Sequence, residues 1–277
     1  MDTNSVKQSV VESYSKLAKA SKKGFFSNLF ACCDVQSHAH KVGEKIGYSQ
    51  EELAAAPEGS NLAVGCGNPA AFSQIKSGDI VLDLGSGAGF DAFNVSPLVG
   101  EEGKVIGLDL SEEMLTLARQ HAKKGAYQNV EFIEVDIEQI PLETESVDYI
   151  ISNCVINLSL QKAQVYKEAY RVLKSEGRIA ISDVVLTKEL PTFIQESLAA
   201  HIACISGADK LEDYLGYIKE AGFQEVRVEK TAKFPIEFMI MDPQVQKIAK
   251  ELNLNLKSEE ARELSSRVQS VLLTARK

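Results

Sequence analysis

No apolar run in the 277-residue chain approaches the ~20 residues needed to cross a bilayer. The amino end also lacks an export-signal pattern. Its one apolar patch, Phe25 to Ala31, is short and interrupted by Ser27 and Asn28. Cysteine is sparse, five in all, which excludes a disulfide-stapled scaffold, and an odd count leaves at least one thiol unpaired. Positive charge is in deficit. Thirty lysines and arginines face 39 acids, for a net charge of −9. That balance argues against nucleic acid or an anionic membrane as partner, since both repel a negative surface. Disorder is excluded as well, because 44% hydrophobic residues are ample for a core. These absences predict a cytoplasmic α/β protein, and the length allows one large domain or two modest ones.

The first 75 residues carry no strand pattern. Val6, Val10, Tyr14 and Leu17 recur at spacings of four, four and three, one apolar stripe on a helix. After the Ser21-Lys-Lys-Gly24 breaker, an irregular stretch is expected from Phe25 to Gly47. Residues 1–46 hold seven lysines, no arginine and four acids, the only mildly basic part of the chain. Ser49 and Glu52 read as a capping box, and Asn68-Pro69 as the start of a helix through Ile75.

From residue 79 the pattern changes. Ile80–Leu84, Val105–Asp109, Val130–Val135, Val147–Ser152 and Arg178–Ser182 are apolar runs of strand length. Helical patterns lie between them at Ala92–Val99, Glu112–Lys124 and Gln161–Leu173. The alternation predicts a doubly wound, mostly parallel sheet with strands buried on both faces. Helices are expected over Thr192–Cys204 and Leu211–Ala221, then a strand over Phe223–Lys230 and a last β segment over Arg267–Arg276. Between those two strands, Asp242-Pro243 caps a helix to Leu252 and Ser258 starts another. The resulting division is an extension over 1–75, a core over 76–230, and an insertion with the final strand over 231–277.

Leu82-Asp-Leu-Gly-Ser-Gly-Ala-Gly89 sits between the first strand and its helix. Gly85, Gly87 and Gly89 permit a tight turn and close approach of a ligand. Asp83 lies on the strand tip, where a carboxylate can meet a cationic ligand or orient the loop. Asp109 ends the second strand, 20 residues past Gly89, where an acid holds ribose hydroxyls. Asp136-Ile137 ends the third, where an acid and a backbone N–H can read an adenine edge. The spacing departs from the G-x-G-x-x-G of dinucleotide folds, whose helix start neutralises a pyrophosphate; Phe90 stands where the last glycine would fall. S-adenosylmethionine, a sulfonium cation without phosphate, suits the acid at the loop entrance better. The D-L-G-S-G-A-G string, the acid at 109 and the late strand together resemble the class I S-adenosylmethionine methyltransferases. The resemblance implies a seven-stranded Rossmann-like sheet with an antiparallel last strand, and it covers about residues 72–277. The candidate cofactor residues are then Asp83, Gly85, Gly87, Gly89, Asp109, Leu110, Met114, Asp136, Ile137 and Asn153.

Taken singly, each cysteine is more readily a packing residue than a functional one. Position alters that for two of them. Cys154 follows the fourth strand, beside the first, where ligands bind outside strand carboxyl ends, and Cys66 is flanked by Gly65 and Gly67, which are expected to expose it. N-L-A-V-G-C-G-N-P at 61–69, S-N-C-V-I-N-L at 152–158, E-A-Y-R-V-L-K at 168–174 and Cys204 before S-G-A at 206–208 resemble the arsenite methyltransferases. That resemblance implies that Cys66, Cys154 and Cys204 bind trivalent arsenic. It also implies that Cys32 or Cys33 joins a redox cycle completed by a thioredoxin- or glutathione-type reductant. The expected substrates are arsenite and methylated trivalent arsenicals as thiol complexes. No resident metal is expected: Cys32, Cys33, His38 and His40 lack zinc-site spacing. His121 reads as a C-terminal dipole partner and His201 as a helix-surface residue. A C-methyltransferase of a quinone precursor and a non-catalytic thiol sensor are the competing readings.

Overall fold

The computed structural model describes residues 3–22, 35–233, 246, 249–251, 255–256 and 258–277. Helix α1 (Thr3–Lys22), α2 (Val35–Ile46) and α3 (Gln50–Ala55) precede a 3-10 turn at Pro69–Phe72. Then follow β1 (Ile80–Leu84), α4 (Phe90–Val99), β2 (Lys104–Asp109), α5 (Glu112–Lys124), β3 (Val130–Glu134) and β4 (Val147–Asn153). After a 3-10 turn at Ile156–Leu158 come α6 (Lys162–Val172), β5 (Leu173–Leu186), α7 (Thr192–Gln195), α8 (Leu198–Ile202), α9 (Leu211–Glu220), β6 (Gln224–Lys233), α10 (Glu259–Ser266) and β7 (Val268–Arg276).

The seven strands run in the order β3-β2-β1-β4-β5-β7-β6. The first five are parallel, and β7 pairs antiparallel with both β5 and β6. Strand alternation fills both faces. Val81, Tyr149 and Ile151 pack with Ala92, Phe93 and Leu115 of α4 and α5, while Leu82, Leu84, Ile150 and Ile179 pack with Val165, Tyr166 and Ile218 of α6 and α9. Strand order reverses at β1, which lies between β2 and β4, so a crevice opens at the carboxyl end of β1.

Several local expectations hold. The Ser49–Glu52 capping box has both bonds, Glu52 N to Ser49 Oγ at 3.1 Å and Ser49 N to Glu52 Oε2 at 2.7 Å. Ser258 caps α10 through Ala261 N. Other expectations need correction. Residues 35–46 are helical rather than irregular, with Ala39 and Val42 buried on one face. The Asn68-Pro69 start yields a single 3-10 turn ending at Phe72, not a helix through Ile75. Thr192–Cys204 splits in two, because the Ser197 side chain accepts from Ala200 N and starts a new helix. β5 extends well beyond Arg178–Ser182 because β7 pairs along it from Arg178 to Leu186. Most of the Asp242–Leu252 helix lies outside the described residues, as do Cys32 and Cys33. Among the described residues, no helix is long and apolar enough to cross a membrane.

Candidate active site

Gly85, Gly87, Asp109, Leu110, Met114, Asp136, Ile137, Asn153 and Cys154 line one cavity at the β1 crevice. The glycine loop is held open by its own hydrogen bonds. Asp109 accepts from Gly87 N at 2.9 Å through Oδ2 and from Ser111 N at 2.8 Å through Oδ1. Gly87 has φ +52°, and a Cβ there would meet nothing within 4 Å. The space above this turn is thus left for a ligand, and φ in that region disfavours any residue but glycine.

Asp83 and Gly89 do not line the cavity. Gly89, with φ +90°, begins α4. Asp83 lies buried behind the loop, with Oδ2 sealed from solvent and without a hydrogen-bond partner. Burial, then the nearby Asp91 and Asp109, push its carboxyl well above the usual range. Asp91, in the first turn of α4, is pushed up to about 6 by burial, and accepts Tyr48 OH at 2.5 Å and Asn153 Nδ2 at 3.0 Å. Of the two acids, Asp91 lines the cavity and is ionised at neutral pH, which suits a cationic group there.

Across the mouth lies α1. Its Lys7 pairs with Asp136 at 2.6 Å and with Glu138. Ser15 bonds Ser111 and Glu113, and Tyr14 OH donates to Ile202 O at 3.3 Å.

The three cysteines converge beside this cavity. Cys66 and Cys154 sulfurs and an Asp183 oxygen all lie within 4.8 Å of one another. Cys204 belongs to the same buried cluster and its Sγ donates to Cys154 O at 3.0 Å, while Cys66 Sγ lies 3.6 Å from Ser182 Oγ. All three are buried, and none is paired in a disulfide. Cys154 lines the cavity, whereas Cys66 and Cys204 do not. Cys154 and Cys204 have φ of 61° and 59°, the left-handed region that non-glycine residues seldom occupy and that clusters at functional sites.

The flanking glycines of Cys66 do not expose it, contrary to expectation: it is 2% accessible. Gly65 packs on Asn153 and Gly67 on Ser182, each too close for a Cβ, and Asn153 Oδ1 accepts from Cys66 N at 3.0 Å. One amide therefore ties the cysteine loop to the end of β4 and to Asp91. Hydrogen bonds to Cys204 and Cys66 first, then burial, hold the Cys154 thiol well above its ordinary pKa, and burial raises Cys66. Asp183 is pushed up to about 6 by burial, and accepts from Asn157 Nδ2, Val184 N and Tyr214 OH.

His201 is not a surface residue. It is buried, with Nε2 3.1 Å from Leu158 O. His121 is buried too, its Nδ1 3.3 Å from Ala88 O beneath the glycine loop. Asp91, Tyr48, Lys7 and Asp183 also stand at this site and are not among the residues expected from the sequence. Only Asp183 carries a usable signal, as an acid directly after the expected strand Arg178–Ser182, although it lies within β5 in the structure.

A methyltransferase-domain family model matches residues 75–262. The arsenite methyltransferase of Halobacterium salinarum is 42% identical over 197 residues, 71% of this chain and 50% of that protein. The arsenite methyltransferase of Aquipseudomonas alcaligenes is 34% identical over 206 residues, 72% of this chain and 57% of that protein. An arsenic(III) S-adenosylmethionine methyltransferase from Chlamydomonas reinhardtii, solved by crystallography, superposes with TM-score 0.61 at 30% identity. That match covers 86% of this chain and 72% of the other. The chain belongs to the arsenite methyltransferase family. Its seven-stranded sheet is the class I methyltransferase fold expected from the glycine motif. The chain spans about half the length of the curated relatives it matches.

Proposed function

We propose that this chain methylates trivalent arsenic, held as a thiolate complex by Cys66, Cys154 and Cys204, with S-adenosylmethionine as methyl donor. The observation that carries the reading is the convergence of three buried thiols in one cluster, of which Cys154 reaches the wall of the glycine-loop cavity.

The cavity residues fit the donor. The carboxylate of Asp109 keeps lone pairs beyond its two backbone bonds, enough for two ribose hydroxyls. Leu110, Met114 and Ile137 offer apolar walls for a flat base, with Asp136 at its edge. The Asp91 carboxylate, which lines the cavity, supplies the cation-favouring corner. When bound, S-adenosylmethionine supplies an electrophilic methyl group.

Soft thiolates suit soft ions, and trivalent arsenic takes three sulfur ligands in a pyramid with its lone pair at the apex. The lone pair is itself the nucleophile, so no general base is required. The thiols act by positioning, an effect worth up to ~7–11 kcal/mol in favourable cases. Burial excludes water, which would otherwise compete for the arsenic. Methylation oxidises arsenic by two electrons. We infer that a thiol pair involving Cys66 and one of Cys32 or Cys33 returns them, forming a disulfide that a thioredoxin- or glutathione-type reductant reopens. The biological role that follows is arsenic biotransformation in the cytoplasm. Arsenic X-ray absorption on the protein loaded with one equivalent of arsenite tests the site: three sulfur neighbours are expected, and an oxygen-dominated shell would refute it.

A further inference from the structure

A second cavity, of about 450 Å³, lies against the segment that carries Cys204. Its wall includes Gln161 and Lys162 at the start of α6, His201 of α8, Ser206, Asp209 and Tyr217. None of these lines the glycine-loop cavity.

The ionic content of this second cavity is specific. The Lys162 side chain is nine-tenths buried, and its Nζ lies 3.0 Å from Asp209 Oδ2. That contact occupies one of the three ammonium donors. Asp209 Oδ2 is sealed from solvent and engaged by this ion pair, whereas the Asp209 side chain as a whole is about a third exposed. Burial lowers the pKa of His201, whose Nε2 is engaged by Leu158 O, so the ring stays neutral and Nδ1 is left as an acceptor. One cation and one anion therefore face the space together, with neutral donors and acceptors around them. A lone phosphate would meet Asp209, and a lone metal cation would meet Lys162. A group carrying both charges satisfies both.

Backbone hydrogen bonds tie this cavity to the turn that carries Cys204. Cys204 N donates to His201 O at 2.9 Å, and Ser206 N to Ala200 O at 3.1 Å. Cys204 thus sits in a tight turn whose two ends, His201 and Ser206, form the cavity wall. We propose that the cavity is a subsite for the zwitterionic α-amino acid head of a thiol that delivers arsenic to Cys204. The class includes free cysteine and the γ-glutamyl end of glutathione, and the proposal rests on the arsenic reading above. In the exchange, an arsenic–sulfur bond forms to Cys204 as the bond to the carrier thiol breaks. The proton of the Cys204 thiol passes to the departing thiolate, with no change of oxidation state.

The test uses S-methylglutathione and S-methylcysteine, which can neither bind arsenic through sulfur nor reduce it. Calorimetric titration of the arsenic-free protein should show saturable binding of at least one, and which one binds tells the peptide from the free amino acid. Lys162→Met should weaken that binding about tenfold, as expected for one lost charge-assisted bond. Lys162→Arg should restore it, and S-adenosylhomocysteine affinity should stay unchanged. In turnover, Lys162→Met should raise KM for arsenite supplied with glutathione relative to arsenite supplied with 2-mercaptoethanol. Should Lys162→Met leave Asp209 unpaired and the protein unfolded, the double variant Lys162→Met/Asp209→Asn keeps the pair neutral and is held to the same binding loss. Absence of binding by both S-methyl probes, or equal binding to the Met variants, would overturn the subsite. Absence of arsenic methylation with every thiol, with probe binding intact, would instead overturn the arsenic reading.

Discussion

Asp109→Asn isolates the cofactor assignment. Each carboxylate oxygen of Asp109 already accepts one backbone N–H, from Gly87 and from Ser111, so about two of the four acceptor sites remain for ribose hydroxyls. The asparagine keeps one oxygen and presents an NH2 group to one of those N–H donors and to one hydroxyl. A lost bond to a charged acceptor is worth ~1.5–3 kcal/mol, which corresponds to ~10- to 150-fold in affinity. Asp109→Ala is a poorer probe. It would orphan both loop N–H groups at ~1–3 kcal/mol each, confounding binding with folding. Titration of the asparagine variant with S-adenosylhomocysteine, beside its thermal unfolding curve, separates the two effects. An affinity within twofold of wild type in a folded variant would refute Asp109 as the ribose anchor.

Three further outcomes follow from the site. Cys154→Ser and Cys204→Ser should each abolish arsenite binding, because a hydroxyl is a hard and protonated ligand; wild-type affinity in either, measured by arsenic retained after gel filtration, would misplace the site. Asp183, pushed up to about 6 from an ordinary 3.8, adds stability that is fully present below pH ~4 and is lost as pH rises through 6. The total is about 3 kcal/mol, so urea unfolding at pH 5 and pH 7.5 should show a smaller fall for Asp183→Asn than for wild type, and parallel falls would contradict the burial argument. Of the adjacent amino-terminal pair, Cys33→Ser should lose methylation of inorganic arsenite yet keep methylation of methylarsenite. Loss of both activities in that variant, or of neither in Cys32→Ser/Cys33→Ser, would exclude the pair from the redox cycle.

What the sequence revealed was set by local chain pattern. The strands and the glycine turn were legible because Ile80–Leu84 and the D-L-G-S-G-A-G string carry their signal within a dozen residues. The acids at 109 and 136 followed from their places at strand ends. Tyr48, Asp91 and Lys7 were not legible, since their contacts span 43, 62 and 129 positions and nothing local marks them. Helix α2 was hidden by Gly43 and two histidines within it, although Gly43 is there because a Cβ would strike Leu53. The burial of Cys66 was misjudged for a related reason. Glycine neighbours can mean exposure or close packing, and only the positions of Asn153 and Ser182 decide between them.

The central claim is methyl transfer to arsenic on the protein's own thiols. Purified protein, incubated with arsenite, thiol, reductant and methyl-labelled S-adenosylmethionine, should yield label in methylated arsenicals separated by liquid chromatography and detected by arsenic mass spectrometry. The Cys154→Ser variant should yield none. Label absent from arsenic in the wild type, or equal in the two proteins, would contradict the account.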